Sequence, residues 1–196
     1  ARQERYAEAL EVLDPAAKGS RKLPEGLRPA IAYERAWCLR RLDRKDEAIQ
    51  AYKAIDLSDA GGGYNLHAML ELGEMDMEAN RFAEAAVTLR KLKETLEGRS
   101  ESEFAELKAN GLYRLGICEH QLEHFADSTQ LLESFIVDHA DHALAASARF
   151  YCGDGLSKLG RHEPAIRHFT AIVKDGKSDP VFPPTLLRLG DSLSVL

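Results

Sequence analysis

The stretch LGEMDMEANRFAEAAVTL, residues 72–89, decides the fold, because LGICEHQLEHFADSTQLL, residues 115–132, repeats its skeleton in the same register. Each opens on Leu-Gly, crosses a polar turn, places a small residue 12 positions after the Gly (Ala85, Ser128) and ends on a Leu four positions later. Small anchors of the first kind recur outward from this pair at Ala36, Gly73, Gly116, Gly153 and Gly190, spaced 37, 43, 37 and 37 residues apart. The first four are each followed, 12 positions on, by Ala48, Ala85, Ser128 or Ala165. Beyond this second anchor the chain has Tyr52, Leu89, Leu132 or Phe169 at four residues, and Ile55, Leu92, Phe135 or Ile172 at seven. That i, i+4, i+7 spacing is one face of a helix.

Two helices that cross closely need small side chains where their backbones approach and large ones beside them to fill the groove. Each repeat therefore reads as a helix A carrying Gly or Ala, a tight turn, and a helix B carrying Ala or Ser. The turns are Leu42-Asp43-Arg44, Ala79-Asn80-Arg81, Leu122-Glu123-His124 and Leu159-Gly160-Arg161. The expected fold is all-α, an alpha-alpha superhelix (solenoid) of about four complete hairpins plus flanking half-repeats, in a single array over residues 1–196. The expected helices are 3–14 (B alone), 29–42 and 44–56, 64–79 and 81–97, 101–122 and 124–138, 141–159 and 161–174, and 183–195 (A alone). Breakers fall between repeats: Pro24 and Pro29, Gly61-Gly62-Gly63, Gly98, Gly176, Pro180 and Pro183-Pro184. Extra residues around Gly98 account for the longer interval, and Ser100 with Glu103 forms a capping-box pattern. The unpaired half-repeats at both ends, with Leu186, Leu189 and Leu193 left to cover, point to a fragment of a longer protein or to ends covered by another chain.

A net charge of −6 with Lys and Arg scattered along the chain argues against a nucleic-acid surface, which needs clustered cations to displace counterions. No run approaches the roughly 20 apolar residues that span a bilayer. Three cysteines, Cys38, Cys118 and Cys152, show no C-x-x-C spacing and read as buried free thiols.

These residues resemble the tetratricopeptide repeat, which places Leu-Gly late in helix A and Ala in helix B: Leu72-Gly73, Leu115-Gly116, Leu189-Gly190 and Arg81-Phe82-Ala83-Glu84-Ala85-Ala86. The long period, and the segment from Phe135 to Gly153 leading into Lys158-Leu159-Gly160, resemble the bacterial envelope members of that family. Those include the Tol-Pal-associated cell-division coordinator and outer-membrane assembly lipoproteins. The likeness slightly favours the periplasm or cell envelope over the cytoplasm. The chain departs from that subgroup at Asp138-His139-Ala140-Asp141-His142, where a Tyr-Pro pair is usual. It also places Asp76 and Glu119 where an apolar residue or Tyr is common.

The resemblance implies a non-catalytic protein-protein interaction scaffold whose concave groove, lined by the A helices, takes a peptide or helix of a partner. Carried over by register, the groove residues are Tyr33, Trp37, Arg40 and Arg41; Leu70, Glu71, Glu74 and Met77; Tyr113, Arg114, Ile117 and Gln121; Phe150, Tyr151 and Asp154; and Leu187, Arg188 and Asp191. The aromatics and Arg among them are of the types enriched at binding hot spots. Tyr33 and Trp37 stand where chaperone-binding members carry Lys and Asn, which disfavours capture of a chaperone tail. The alternative is a structural or oligomerisation segment acting through the array ends or convex face.

Enzyme-like strings are weak. His120-Gln-Leu-Glu123-His124 matches a zinc signature in letters, yet the register puts Glu123 and His124 in a turn, so the ligands would not share a helix face. Asp138, His139, Asp141 and His142 read as an inter-repeat loop, with Asp141 capping the next helix. Gly61-Gly62-Gly63 lacks the Lys-Ser/Thr of a phosphate loop. No cofactor or metal is expected.

Overall fold

The computed structural model describes residues 2–17, 27–55, 63–99, 102–175 and 180–196. These form ten α-helices and no strand: α1 (Arg2–Ala17), α2 (Leu27–Arg41), α3 (Lys45–Lys53), α4 (Tyr64–Glu78), α5 (Phe82–Leu96), α6 (Ala105–Gln121), α7 (Phe125–Asp138), α8 (Ala145–Lys158), α9 (His162–Asp175) and α10 (Phe182–Leu193). A 3-10 turn at Ser102–Phe104 precedes α6. The chain divides into two compact units, residues 1–81 and 82–196.

In the first unit α1 packs on α2, α2 on α3, and α2 and α3 on α4. Its core gathers Leu10, Ala36, Leu39, Ala48, Tyr52, Ile55, Leu72 and Met75. In the second unit each helix from α5 to α10 packs on the next, and Leu132, Phe135, Cys152, Leu156, Ala165 and Phe169 share one core. There α6 also touches α8, and α8 touches α10, whereas no comparably packed pair joins α5 to α7 or α7 to α9. Helices that touch every second neighbour on one side only must bend toward that side, so in this unit the A helices line the inner face.

The anchors do what the register requires of them. Ala36, Ala48, Ser128 and Ala165 have no exposed surface, nor do Tyr52, Leu132 and Phe169 beside them. A Cβ on Gly116 would lie 2.7 Å from Leu132 Cδ2, and the Ser128 hydroxyl donates to the Gly116 carbonyl at 2.8 Å. At Gly190 a Cβ would meet nothing within 4 Å, since no helix B follows α10 among the described residues.

The hairpin turns share one solution. Asp43, Asn80, Glu123 and Gly160 adopt left-handed φ of 59, 57, 62 and 72°. The next amide reaches back five residues, as in Arg44 N–H to Leu39 O at 3.0 Å and Arg161 N–H to Leu156 O at 2.8 Å. This satisfies carbonyls that the end of helix A leaves free.

Two expectations need correction. Asp141 does not cap α8, which starts at Ala145. Residues 139–144 instead make consecutive turns, held by His142 N–H to His139 O at 3.1 Å and by Leu144 N–H to His142 Nδ1 at 3.1 Å. Helix α1 runs past the expected end at 14 through Pro15, whose missing N–H costs only one bond in the last turn. Pro24, Gly61, Gly62, Ser100 and Gly176 lie outside the described residues.

Candidate protein-binding face

In the first unit the face shared by α2 and α4 holds a cleft of about 370 Å³ lined by Trp37, Arg40, Arg41, Lys45, Glu71, Glu74 and Glu78. Arg40 stands one turn past the Ala36 anchor and reaches across to α4. Its guanidinium donates to Glu71, to Glu74 at 3.0 Å and to Glu78 at 2.8 Å. Trp37 is half-buried, with Tyr6 edge-on at 5.3 Å between ring centroids and the Arg41 guanidinium over its ring at 4.9 Å. Tyr33 packs against Tyr52 and Tyr64, and burial, with Glu71 adding to it, pushes its hydroxyl up to about 12. Leu70 and Met77 are half-buried on α4.

In the second unit the inner face carries a chain of polar contacts from α6 to α8 to α10. His120 Nε2 donates to Asp154 Oδ2 at 3.0 Å, and Arg188 Nε pairs with Asp154 Oδ1 at 2.7 Å. The hydrogen bond from His120 holds the Asp154 carboxyl below the usual carboxylate range, with Arg188 and Lys158 adding to it against the opposing effect of burial. Tyr151 sits edge-on to His120 at 5.1 Å and to Phe150 at 5.4 Å. The Tyr113 hydroxyl meets Ser147 Oγ at 2.7 Å, and Arg114 donates to Asn110 Oδ1 at 2.5 Å. Gln121, Leu187, Arg188 and Asp191 are exposed.

Two residues expected to line the groove are instead taken up by the packing: Ile117 is 7% exposed and Asp154 6%. Charged groove residues are already committed inside the chain, Glu71 and Glu74 to Arg40, Arg114 to Asn110 and Arg188 to Asp154. His120 belongs on this face, although the sequence reading singled it out only within a zinc-like string. Its signal was the offset of four from Gly116, the same offset that links Arg40 to Ala36.

The zinc-like string does not assemble. His120 points to Asp154, whereas His124 Nδ1 lies 2.8 Å from Glu119 and Glu123 stands exposed in the turn. Asp138, His139, Asp141 and His142 do not converge either; His142 meets Glu106 at 3.2 Å and the Phe135 ring. Among the described residues the groups that do converge are Glu133 with Cys152 and His168, and Glu119 with His124 and Asp127. Buried Glu119 is already paired with Arg90, and Asp76, at the same register position, with Arg81 at 2.6 Å. A larger cleft of about 590 Å³, lined by Arg90, Glu97, Glu119, Asp127 and Gln130 among others, runs along α5, α6 and α7. Sequence register did not point to it.

Residues 31–55, which span most of α2 and all of α3, match the tetratricopeptide-repeat family model. Among solved structures, a crystal structure of MamA protein is 21% identical with a TM-score of 0.70, covering 86% of this chain and 82% of that one. MamA from Desulfovibrio magneticus RS-1 is 16% identical (TM-score 0.65; 88% and 86% covered). A Podosopora anserina putative kinesin light chain with nearly identical TPR-like repeats is also 16% identical (TM-score 0.66; 88% of each chain covered). The fold is that of the tetratricopeptide repeat. At these identities the likeness is one of fold, and no curated protein matches the chain in sequence. Tetratricopeptide hairpins explain why a small-residue register organises the sequence. Among the described residues no helix is long and apolar enough to cross a membrane.

Proposed function

We propose that the chain is a non-catalytic interaction scaffold that takes a peptide or helix of a partner protein on the inner face of its A helices. The observation that carries this reading is the cleft at Trp37, lined also by Arg40, Arg41 and Lys45 from α2 and α3 and by Glu71, Glu74 and Glu78 from α4. An aromatic ring with charges of both signs around it matches a partner segment with an apolar anchor and flanking polar groups. Because Arg40 already binds Glu71 and Glu74, a partner must offer a better-placed ion to displace it, which gives selectivity more than affinity. In the second unit Tyr113, Phe150 and Tyr151 provide the corresponding apolar surface. The resemblance of the Phe135 to Gly153 segment to envelope members of the family favours a cell-envelope assembly as the setting.

A photo-crosslinking residue at Arg41 or Tyr151, compared with one at Val87, which is 66% exposed on α5, tests the reading directly. The same protein crosslinked from Arg41 or Tyr151 and not from Val87 supports the inner face. Crosslinking from Val87 alone removes it.

A second reading is favoured by one specific observation. Leu186, Leu187, Leu193, Val195 and Leu196 are 47–73% exposed on α10 and just after it. On that reading the array end is the contact surface. Loss of self-association in a folded Leu186→Ser, Leu187→Ser variant distinguishes it.

A further inference from the structure

Glu133 on α7, Cys152 on α8 and His168 on α9 lie 19 and 16 residues apart in sequence, in no linear ligand motif. The fold brings one ligand atom of each within 4.8 Å of the other two. We propose that these three side chains form a binding site for one zinc-class divalent cation, which pins three consecutive helices together.

Cys152 Sγ and His168 Nε2 are 3.6 Å apart. With metal–sulfur and metal–nitrogen bonds of about 2.3 and 2.05 Å at a tetrahedral angle, two ligand atoms on one zinc ion stand about 3.6 Å from each other. The pair is therefore already at coordination distance and needs no backbone movement. A thiol and an imidazole alone would be satisfied by a hydrogen bond, but the carboxylate converging on the same point gives the donor set more than such a bond requires. Cys152 has no exposed surface and cannot swing away, whereas Glu133 is exposed and can adjust its rotamer to close the site.

The donor set also fits by charge. A thiolate and a carboxylate together neutralise a divalent ion, which matters beside Arg149, whose charge acts on both Cys152 and His168, and Arg167, whose charge acts on His168. Sulfur and imidazole ligands select zinc-class ions over magnesium or calcium. Three protein ligands leave a fourth position for water. The site lies on α7, α8 and α9 and uses none of the side chains assigned to partner binding.

Cobalt(II), added to the reduced, chelator-treated chain, reports the site through its thiolate-to-metal charge-transfer band and its tetrahedral absorption. We expect one equivalent bound with that band, displaced by zinc. Cys152→Ser should abolish the band, and His168→Gln and Glu133→Gln should each weaken binding at least tenfold, while Cys118→Ser leaves both unchanged. Glu133→Gln alters an exposed side chain, so it reads the site even if a core variant folds poorly. A native chain that shows no charge-transfer band, a band that survives Cys152→Ser, or unchanged affinity in Glu133→Gln overturns the proposal.

Discussion

The Cβ that Gly153 lacks would fall 2.6 Å from Cε1 of Phe169, a separation two carbon atoms do not tolerate. An A-helix glycine and a B-helix ring are thus a matched pair, and Phe169, fully buried, owes its place to the missing methyl group. Gly153→Ala should destabilise the chain by about 1–3 kcal/mol through overpacking. Gly190→Ala, with nothing within 4 Å, should be neutral or stabilising by up to about 1 kcal/mol, because a helical glycine is itself unfavourable. Urea unfolding of the two variants side by side checks the contrast.

The A-to-B turns offer a second comparison. Glu123 holds a left-handed φ of 62° that costs a side-chain-bearing residue about 1–2 kcal/mol relative to glycine. Glu123→Gly should therefore raise stability by about 0.5–1 kcal/mol, net of the larger entropy of the unfolded chain. Gly160→Val, at φ 72°, should lower it by at least as much. Thermal midpoints of both, measured in one buffer, give the signs.

Arg40 neutralises three carboxylates at once, Glu71, Glu74 and Glu78. Arg40→Met keeps most of the stem and leaves the acids facing one another, so a loss of about 1–2 kcal/mol is expected. The gap to the native chain should narrow as salt is added, because screening relieves repulsion among the remaining acids. A gap that does not change with salt would assign the loss to packing instead.

The acid limb of stability should report on Asp154. Its folded-state carboxyl titrates below the ordinary value of about 3.9, so its contribution is complete above that pH and is lost as pH falls through the folded-state value. The groups facing it are His120 from α6, Arg188 from α10 and Lys158 on its own helix. Asp154→Asn should be less stable than the native chain at neutral pH, with the difference shrinking below about pH 4. Guanidine unfolding at a series of pH values measures it.

The helix register was legible because a 37-residue spacing of small residues has few physical explanations, and the large residues four and seven positions beyond the second anchor name the face they fill. The inner face was legible only in part. Register does not say how deeply a side chain sinks: Tyr33 and Trp37 are half-buried and Arg41 exposed, whereas Ile117 and Asp154 hardly reach the surface. Nor does register show pairing: it names Glu74 and Arg188 as groove residues without showing that Arg40 and Asp154 hold them.

The sequence by itself determined that this chain is a series of helical hairpins, where each turn falls and which residues meet inside a hairpin. All of these depend on contacts between positions about 12 to 16 apart along one repeat. Only the tertiary structure decided which groups meet across repeats, 31 residues apart for Arg40 and Glu71, 34 for His120 and Asp154, and 35 for Glu133 and His168. Those meetings depend on the angle at which one hairpin stacks on the next, and that angle is set by the summed packing of whole helix faces, which no local spacing records.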